Sequence, residues 1–450
     1  MPPDAPFDVE LLIEARWVLP MSEDLPTLAD HAVAIRAGRL LGPWPIAIAR
    51  QRVNAQRVLR LDHHALLPGL VNAHNHAGMS LMRGFADDLP LMTWLNEHIW
   101  PAEAAHINPG FVADGTRLAI AEMLRSGTTT FADMYLAPEA AADVIGETGI
   151  RSQLCTPLID FPTPWAEDFG TGLARTEALV ARCQDHPLIG LAFGPHAPYT
   201  VGDDSLKRLR EARERLDLPI QMHVHETADE VEQSLREHGK RPLRRLFEAG
   251  LLDARFQAVH MTQIDDEDLA IIAETGIQLV HCPQSNLKLA SGFCPVERLR
   301  AMGVNIALGT DGAASNNDLD MFDEMRCAAL LAKGVSGDAA ALPAMATLAM
   351  ATRDGAHALG LGKRVGQLRE GYEADLIAVD LDELNTQPVH HPASAIVYAM
   401  NSRQVSHVWV AGRPKLVEGE LCDIDVQELK RMAAARQRAM SHTRQQGEAQ

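Results

Sequence analysis

The stretch Leu67–Ser80, LPGLVNAHNHAGMS, decides how the rest of the chain is read. Leu66, Leu67, Leu70 and Val71 form a short apolar run, with Pro68 and Gly69 at its entry and His74 and His76 at its exit. In a strand, residues two apart point to the same face. Two imidazoles at that spacing can converge on one ion from one side. Such a pair can also simply cap a strand, so the weight falls on what lies downstream.

Downstream, seven more apolar runs follow: TTTFADM (128–134), IRSQLCT (150–156), LIGLAFGPH (188–196), PIQMHVH (219–225), FQAVH (256–260), GIQLVH (276–281) and VNIALGTD (304–311). The spacers carry helical patterns such as PGFVADGTRLAIAEMLRSG and SLKRLREARERLDL. Strands alternating with helices imply a parallel sheet, and eight of them imply an α/β fold of the closed (β/α)₈, or TIM-barrel, type. His74, Asp133, His196, His223, His225, His260, His281 and Asp311 all fall at or near the C-terminal ends of these runs. That is the face on which barrel enzymes build their active sites.

Outside the barrel, residues 7–64 alternate polar and apolar in short runs (FDVELLIEARWVLP, HAVAIRAGRLLG, QRVNAQRVLRLD). The same texture returns in ADLIAVDLD, AIVYAMN and VSHVWVAGRPKLVEGE. We expect a small β-sandwich assembled from both termini: residues 1–66 and 369–422 around a catalytic barrel at 67–368. Residues 423–450 read as a polar amphipathic helix with a disordered tail.

Composition narrows the function. The chain has 450 residues and a formal charge of −19, which argues against nucleic acid or an anionic membrane as partner. Six scattered cysteines form no CxxC pair, as expected of reduced thiols in a cytoplasmic protein. The acidic start MPPDAPFDVELLIEA does not read as a signal peptide, and no apolar window is long enough to be expected to span a bilayer.

His74, His76 and His223 supply imidazole nitrogen and Asp311 carboxylate oxygen, a donor set suited to one catalytic divalent ion, zinc or in its place iron. Such an ion lowers the pKa of bound water from 15.7 to about 7. Glu226, just past His223, is placed to shuttle a proton to a substrate nitrogen, and His260 to assist the water. No lysine precedes Lys207, so the fourth strand cannot offer a carboxylated lysine to bridge two metals, and the site reads as mononuclear. HExxH, GxGxxG, GxxxxGK[ST], GxSxG and the PCxxC of the smaller zinc deaminases are all absent. His225 alternates with His223 and is expected to face away from the lumen.

The motifs PGLVNAHNHAGMSLMRG, GPHAPYT, MHVHET, HCPQSNLKL and LGTDGAASNNDLDMFDEMR together resemble the amidohydrolase superfamily. They are most similar to its methylthioadenosine/S-adenosylhomocysteine deaminase branch, near the triazine and guanine aminohydrolases. The resemblance implies metal-dependent hydrolytic deamination of an adenine nucleoside, with a guanine, pterin or triazine hydrolase as the alternative. It places the metal ligands at His74, His76, His223 and Asp311. Substrate contacts fall on Glu103 (ribose hydroxyls), His196 (purine) and Glu226, the water-assisting histidine on His260, and a bordering histidine on His281. Trp94 and Trp100 flank Glu103, where they either line the base pocket or pack as ordinary helix residues. Members of this branch are often dimers or tetramers, so a homo-oligomer is expected. Members that accept S-adenosylhomocysteine can hold its carboxylate with an arginine just after the third strand. Here that position is Pro157, and Leu154–Asp160 contains no arginine. Methylthioadenosine or adenosine is therefore the expected substrate.

Overall fold

A computed structural model describes residues 6–448. Its centre is an eight-stranded parallel sheet whose strands follow chain order: Leu70–Asn75, Thr128–Asp133, Arg151–Leu158, Ile189–Pro195, Ile220–Val224, Phe256–His260, Gln278–His281 and Ile306–Leu308. All eight lie where the apolar runs place them. The sheet closes between its eighth and first strands. Asn72 exchanges hydrogen bonds with Thr310 (2.7 and 3.0 Å), and the Asp311 N–H donates to the His74 carbonyl at 3.0 Å. Only glycine fits at position 309, because a Cβ there would lie 2.8 Å from the His74 nitrogen. Barrel closure and the placement of two metal-site residues are thus one piece of geometry.

The terminal segments form a second sheet of eight strands. Phe7–Val18, Leu28–Arg36, Arg39–Pro45 and Val53–Pro68 are joined through the last of these to Leu376–Asp380, Val405–Val410, Arg413–Val417 and Glu420–Leu421. Its two halves share one apolar core in which Ile13, Val33 and Ile35 pack with Leu376 and Trp409. Arg151, at the start of the third barrel strand and 1% exposed, ties this sheet to the barrel floor. Its guanidinium donates to Asp375 (2.8 and 3.0 Å) and Glu373 (2.6 Å). It therefore lies at the end of the barrel away from the site.

Two expectations change. AIVYAMN is helical, Pro392–Ser394 running into Ala395–Ala399, because Pro392 starts a helix whose Ile396 and Val397 are buried. A short helix, Ile46–Arg52, also interrupts the N-terminal strands. The C-terminal helix spans Val426–Glu448, and the expected tail beyond it lies outside the described residues. Met440 packs into the cluster formed by Leu91, Trp94 and Ile99, and Arg436 bonds to Asp114 at 2.9 Å. No described helix is long and apolar enough to cross a membrane.

Candidate metal centre

At the C-terminal mouth of the barrel, one donor atom from each of His74, His76, His223 and Asp311 lies within 4.8 Å of all the others. The Nδ1 of each imidazole is already spoken for. His74 Nδ1 meets Gln221 Oε1 at 2.7 Å, His76 Nδ1 the Met134 carbonyl, and His223 Nδ1 the His196 carbonyl at 2.7 Å. A carbonyl only accepts, so the proton sits on Nδ1 and each Nε2 presents a lone pair. The His74 and His223 Nε2 atoms then face each other at 3.1 Å with no proton between them. Asp311 Oδ1 lies 3.1 Å from His76 Nε2 and 3.4 Å from His74 Nε2. Lone pairs and an anionic oxygen crowded this closely repel one another unless a cation binds among them. The donor set therefore fits one divalent ion.

Asp311 is aimed by its neighbours. Ser285 and Ser315 both donate to its Oδ2, at 2.6 and 2.9 Å, leaving Oδ1 for the histidines. Burial works against its charge, but the contacts with His74 and His76 and the charges of His76 and His260 hold its carboxyl well below the usual range. Without a metal, burial lowers His76 yet the adjacent Asp311 carries it to about 9, so a proton on Nε2 is held where a cation would otherwise sit. The same imidazole arrangement leaves His196 neutral, pushed to about 3 chiefly by burial.

Around this centre lies a pocket with about 160 Å³ of free space, lined by Glu103, His196, Glu226 and His260 of the expected residues and by both Trp94 and Trp100. Glu226 Oε2 is 3.7 Å from His260 Nε2, and Ser291 Oγ is 3.4 Å from Glu226 Oε1. Burial, reinforced by the charge of Asp311, pushes the Glu226 carboxyl up to about 8. His260 meets Asn286 Oδ1 through Nδ1 at 2.8 Å, which leaves Nε2 facing the pocket. Desolvation in the pocket wall raises Glu103 to about 7. Trp100 packs edge-on against Phe161 at 5.6 Å between ring centroids, so it packs and lines the pocket at once.

His281 is not brought into this pocket. It shares strand parity with Leu279 and lines a separate cavity with Cys294, Leu331 and Val335, against the helix layer. Its expected contact with substrate is therefore corrected. His225 turns away as expected, its Nδ1 3.0 Å from the Gln263 carbonyl while Nε2 accepts from the Leu243 N–H at 3.0 Å. Asp133 accepts from the Ala77 N–H at 2.7 Å and supports the loop after His76. Sequence reasoning missed Gln221, and Tyr135 and Tyr199, which line the pocket. For Gln221 a signal existed: a glutamine two residues before a ligand on one strand shares its face.

Residues 65–415 match the amidohydrolase family. The chain belongs to that family. Similar amidohydrolases include two proteins named 5-methylthioadenosine/S-adenosylhomocysteine deaminase. The one from Teredinibacter turnerae is 46% identical over 426 residues, spanning 95% of this chain and 96% of the relative. The one from Saccharophagus degradans is 47% identical over 429 residues, with coverage of 95% and 96%. A solved adenosine deaminase from Xanthomonas campestris with bound zinc is 50% identical with a TM-score of 0.96, covering 97% of this chain and all (100%) of that one. The zinc-complexed atrazine chlorohydrolase of Arthrobacter aurescens TC1 has a TM-score of 0.89 at 21% identity over 95% of this chain and 99% of that one, and shares the amidohydrolase fold.

Proposed function

We propose that this amidohydrolase is a zinc-dependent deaminase of adenine nucleosides that converts methylthioadenosine, and adenosine, to the inosine derivative and ammonia. The observation that carries this reading is the company kept by the three-histidine, one-aspartate cluster. It shares its pocket with a buried acid raised to about 8, a neutral histidine and one further carboxylate at the rim. The curated relatives and the zinc-bound neighbour support it by the activities in their names.

His74, His76, His223 and Asp311 would hold the ion, which when bound would supply Lewis acidity and lower the pKa of a water towards neutral. Glu226 holds a proton at the pH of the cell and delivers it to the ring nitrogen beside the carbon under attack, so that ammonia leaves. His260 and Asp311 would take up the proton that the water gives up and pass it to the amino nitrogen, which leaves as ammonia. His196 contacts the purine as a neutral imidazole. Glu103 accepts from the two ribose hydroxyls, one on each oxygen, which requires its carboxylate form.

The pocket favours a neutral 5′-substituent. Its far wall is built from Leu91, Leu95, Ile99, Pro157, Phe161 and Pro162, and no described lysine or arginine lines it. Arg175, the first arginine after Pro157, packs over Trp165 and pairs with Glu139 at 3.3 Å, and Arg151 is committed to Asp375 and Glu373. A methylthio group suits this wall, whereas an amino-acid carboxylate meets no cation there. Ammonia release from methylthioadenosine, adenosine and S-adenosylhomocysteine, with guanine and a triazine as controls, tests the assignment. Preference for methylthioadenosine is expected. Turnover confined to guanine or the triazine would overturn it.

A further inference from the structure

Just past the fifth barrel strand, every backbone polar atom of His225 and Glu226 is engaged. The His225 N–H donates to Glu230 Oε1 at 2.9 Å, and the Glu226 N–H donates to Glu230 Oε2 at 2.6 Å. Thr262 takes both carbonyls, its N–H on His225 O at 3.0 Å and its Oγ1 on Glu226 O at 2.7 Å. His225 sits at φ +54°, a left-handed conformation that side-chain-bearing residues adopt only when their surroundings impose it. Glu230 is 6% exposed and lies in the first turn of the helix Ala228–His238. The Thr227 hydroxyl caps that helix and accepts from the Glu230 N–H at 3.2 Å.

The two N–H groups converge on one carboxylate and occupy both of its oxygens. A glutamine at 230 would offer one acceptor and turn an NH₂ toward a backbone N–H. An aspartate would be one carbon too short for this reach. The Glu226 side chain is, by contrast, loosely held, with Ser291 Oγ at 3.4 Å and His260 Nε2 at 3.7 Å. Its place over the metal centre is therefore set by its backbone, and that backbone is set by Glu230 and Thr262.

We infer that Glu230 is a positioning residue for the reaction: its carboxylate locks the peptides of His225 and Glu226 so that the Glu226 carboxyl reaches the substrate nitrogen. The inference rests on the reading of Glu226 as proton carrier. Loss of the lock displaces the acid by a fraction of an ångström to an ångström, and misplacement on that scale costs up to about 100-fold in rate.

The test is a double-mutant cycle in the full-length, zinc-loaded protein with Glu226→Gln, Glu230→Gln and the pair, reading kcat, KM and zinc content. Glu230→Gln is expected to lower kcat by about 10- to 100-fold while KM stays within about threefold and zinc stays at one per chain. In the Glu226→Gln background the same change should cost less than about twofold, because the acid it positions is already gone. Thr262→Val removes the hydroxyl that holds the Glu226 carbonyl while keeping the N–H on His225 O, and should give the same pattern, so the inference stays testable if Glu230→Gln does not fold. Equal losses in both backgrounds, or zinc falling in step with kcat, would overturn it by showing that Glu230 merely supports the strand. Full activity of Glu226→Gln alone would remove the proton-carrier reading itself.

Discussion

Replacing Gln221 with leucine should weaken metal binding although Gln221 never touches the ion. Its Nε2 donates to the Ala73 carbonyl at 3.0 Å and to Gln257 Oε1 at 2.7 Å. Gln257 is in turn anchored on the Ala358 carbonyl at 3.0 Å, so the amide orientation of the whole chain is fixed from the barrel floor. With both donors spent, only Oε1 can face His74, which must then carry its proton on Nδ1 and offer Nε2 to the metal. Leucine leaves the His74 Nδ1–H and the Ala73 carbonyl without partners in a fully buried site. Each such orphan costs about 1–3 kcal/mol of stability. Loss of a histidine-orienting partner typically costs about 10- to 100-fold in metal affinity, or about 1.4–2.7 kcal/mol. Competition against a chromophoric zinc chelator measures the affinity, and thermal melts measure the stability. Gln221→Glu separates the two effects: it keeps an acceptor for His74 but gives Ala73 no donor, so it should retain more affinity than leucine while still losing stability. A folded Gln221→Leu protein with zinc affinity within about threefold of the parent would refute the tautomer argument.

Glu103→Ala should raise KM for methylthioadenosine while sparing zinc content. Because Glu103 is raised to about 7 and must be ionised to accept from both ribose hydroxyls, KM of the parent should climb as pH falls below 7, and Glu103→Gln should flatten that dependence. Glu226→Gln should lower kcat by about 100- to 10,000-fold yet stabilise the metal-free protein. The folded state holds this carboxyl at about 8 against 4.5 when unfolded, so folding takes up a proton between those values and stability falls as pH rises through them. At neutral pH that amounts to roughly 3 kcal/mol, and melts of the two metal-free proteins should coincide near pH 4.5 and diverge above it. Arg151→Leu strands Asp375 and Glu373 in the interface between terminal sheet and barrel, which should cost about 3–5 kcal/mol in denaturant melts and leave kcat of the folded fraction unchanged.

The barrel was legible because each strand is an apolar run that stops at a histidine, aspartate or cysteine-threonine pair, and those stops fall on one rim. The ligands were legible for the same reason. His281 shows the limit of that logic: position along the strand was right, but face is set by parity, and His281 follows Leu279 toward the helices and not the lumen. AIVYAMN looked like a strand because β-branched and aromatic residues alternate there, yet Pro392 and burial against neighbouring helices decide for helix. Gln221 and Glu230 were passed over because single buried polar residues carry no period. Their meaning lies in partners distant in sequence, such as Ala73, or in backbone N–H groups that a sequence does not display.

The most direct test of the account is a metal titration of the chelated protein, following ammonia release from methylthioadenosine at each addition of zinc. The account predicts no turnover at zero, a linear rise, and saturation at one ion per chain, with Asp311→Ala inactive throughout. Turnover by the fully chelated protein, or saturation only at two ions per chain, would contradict it.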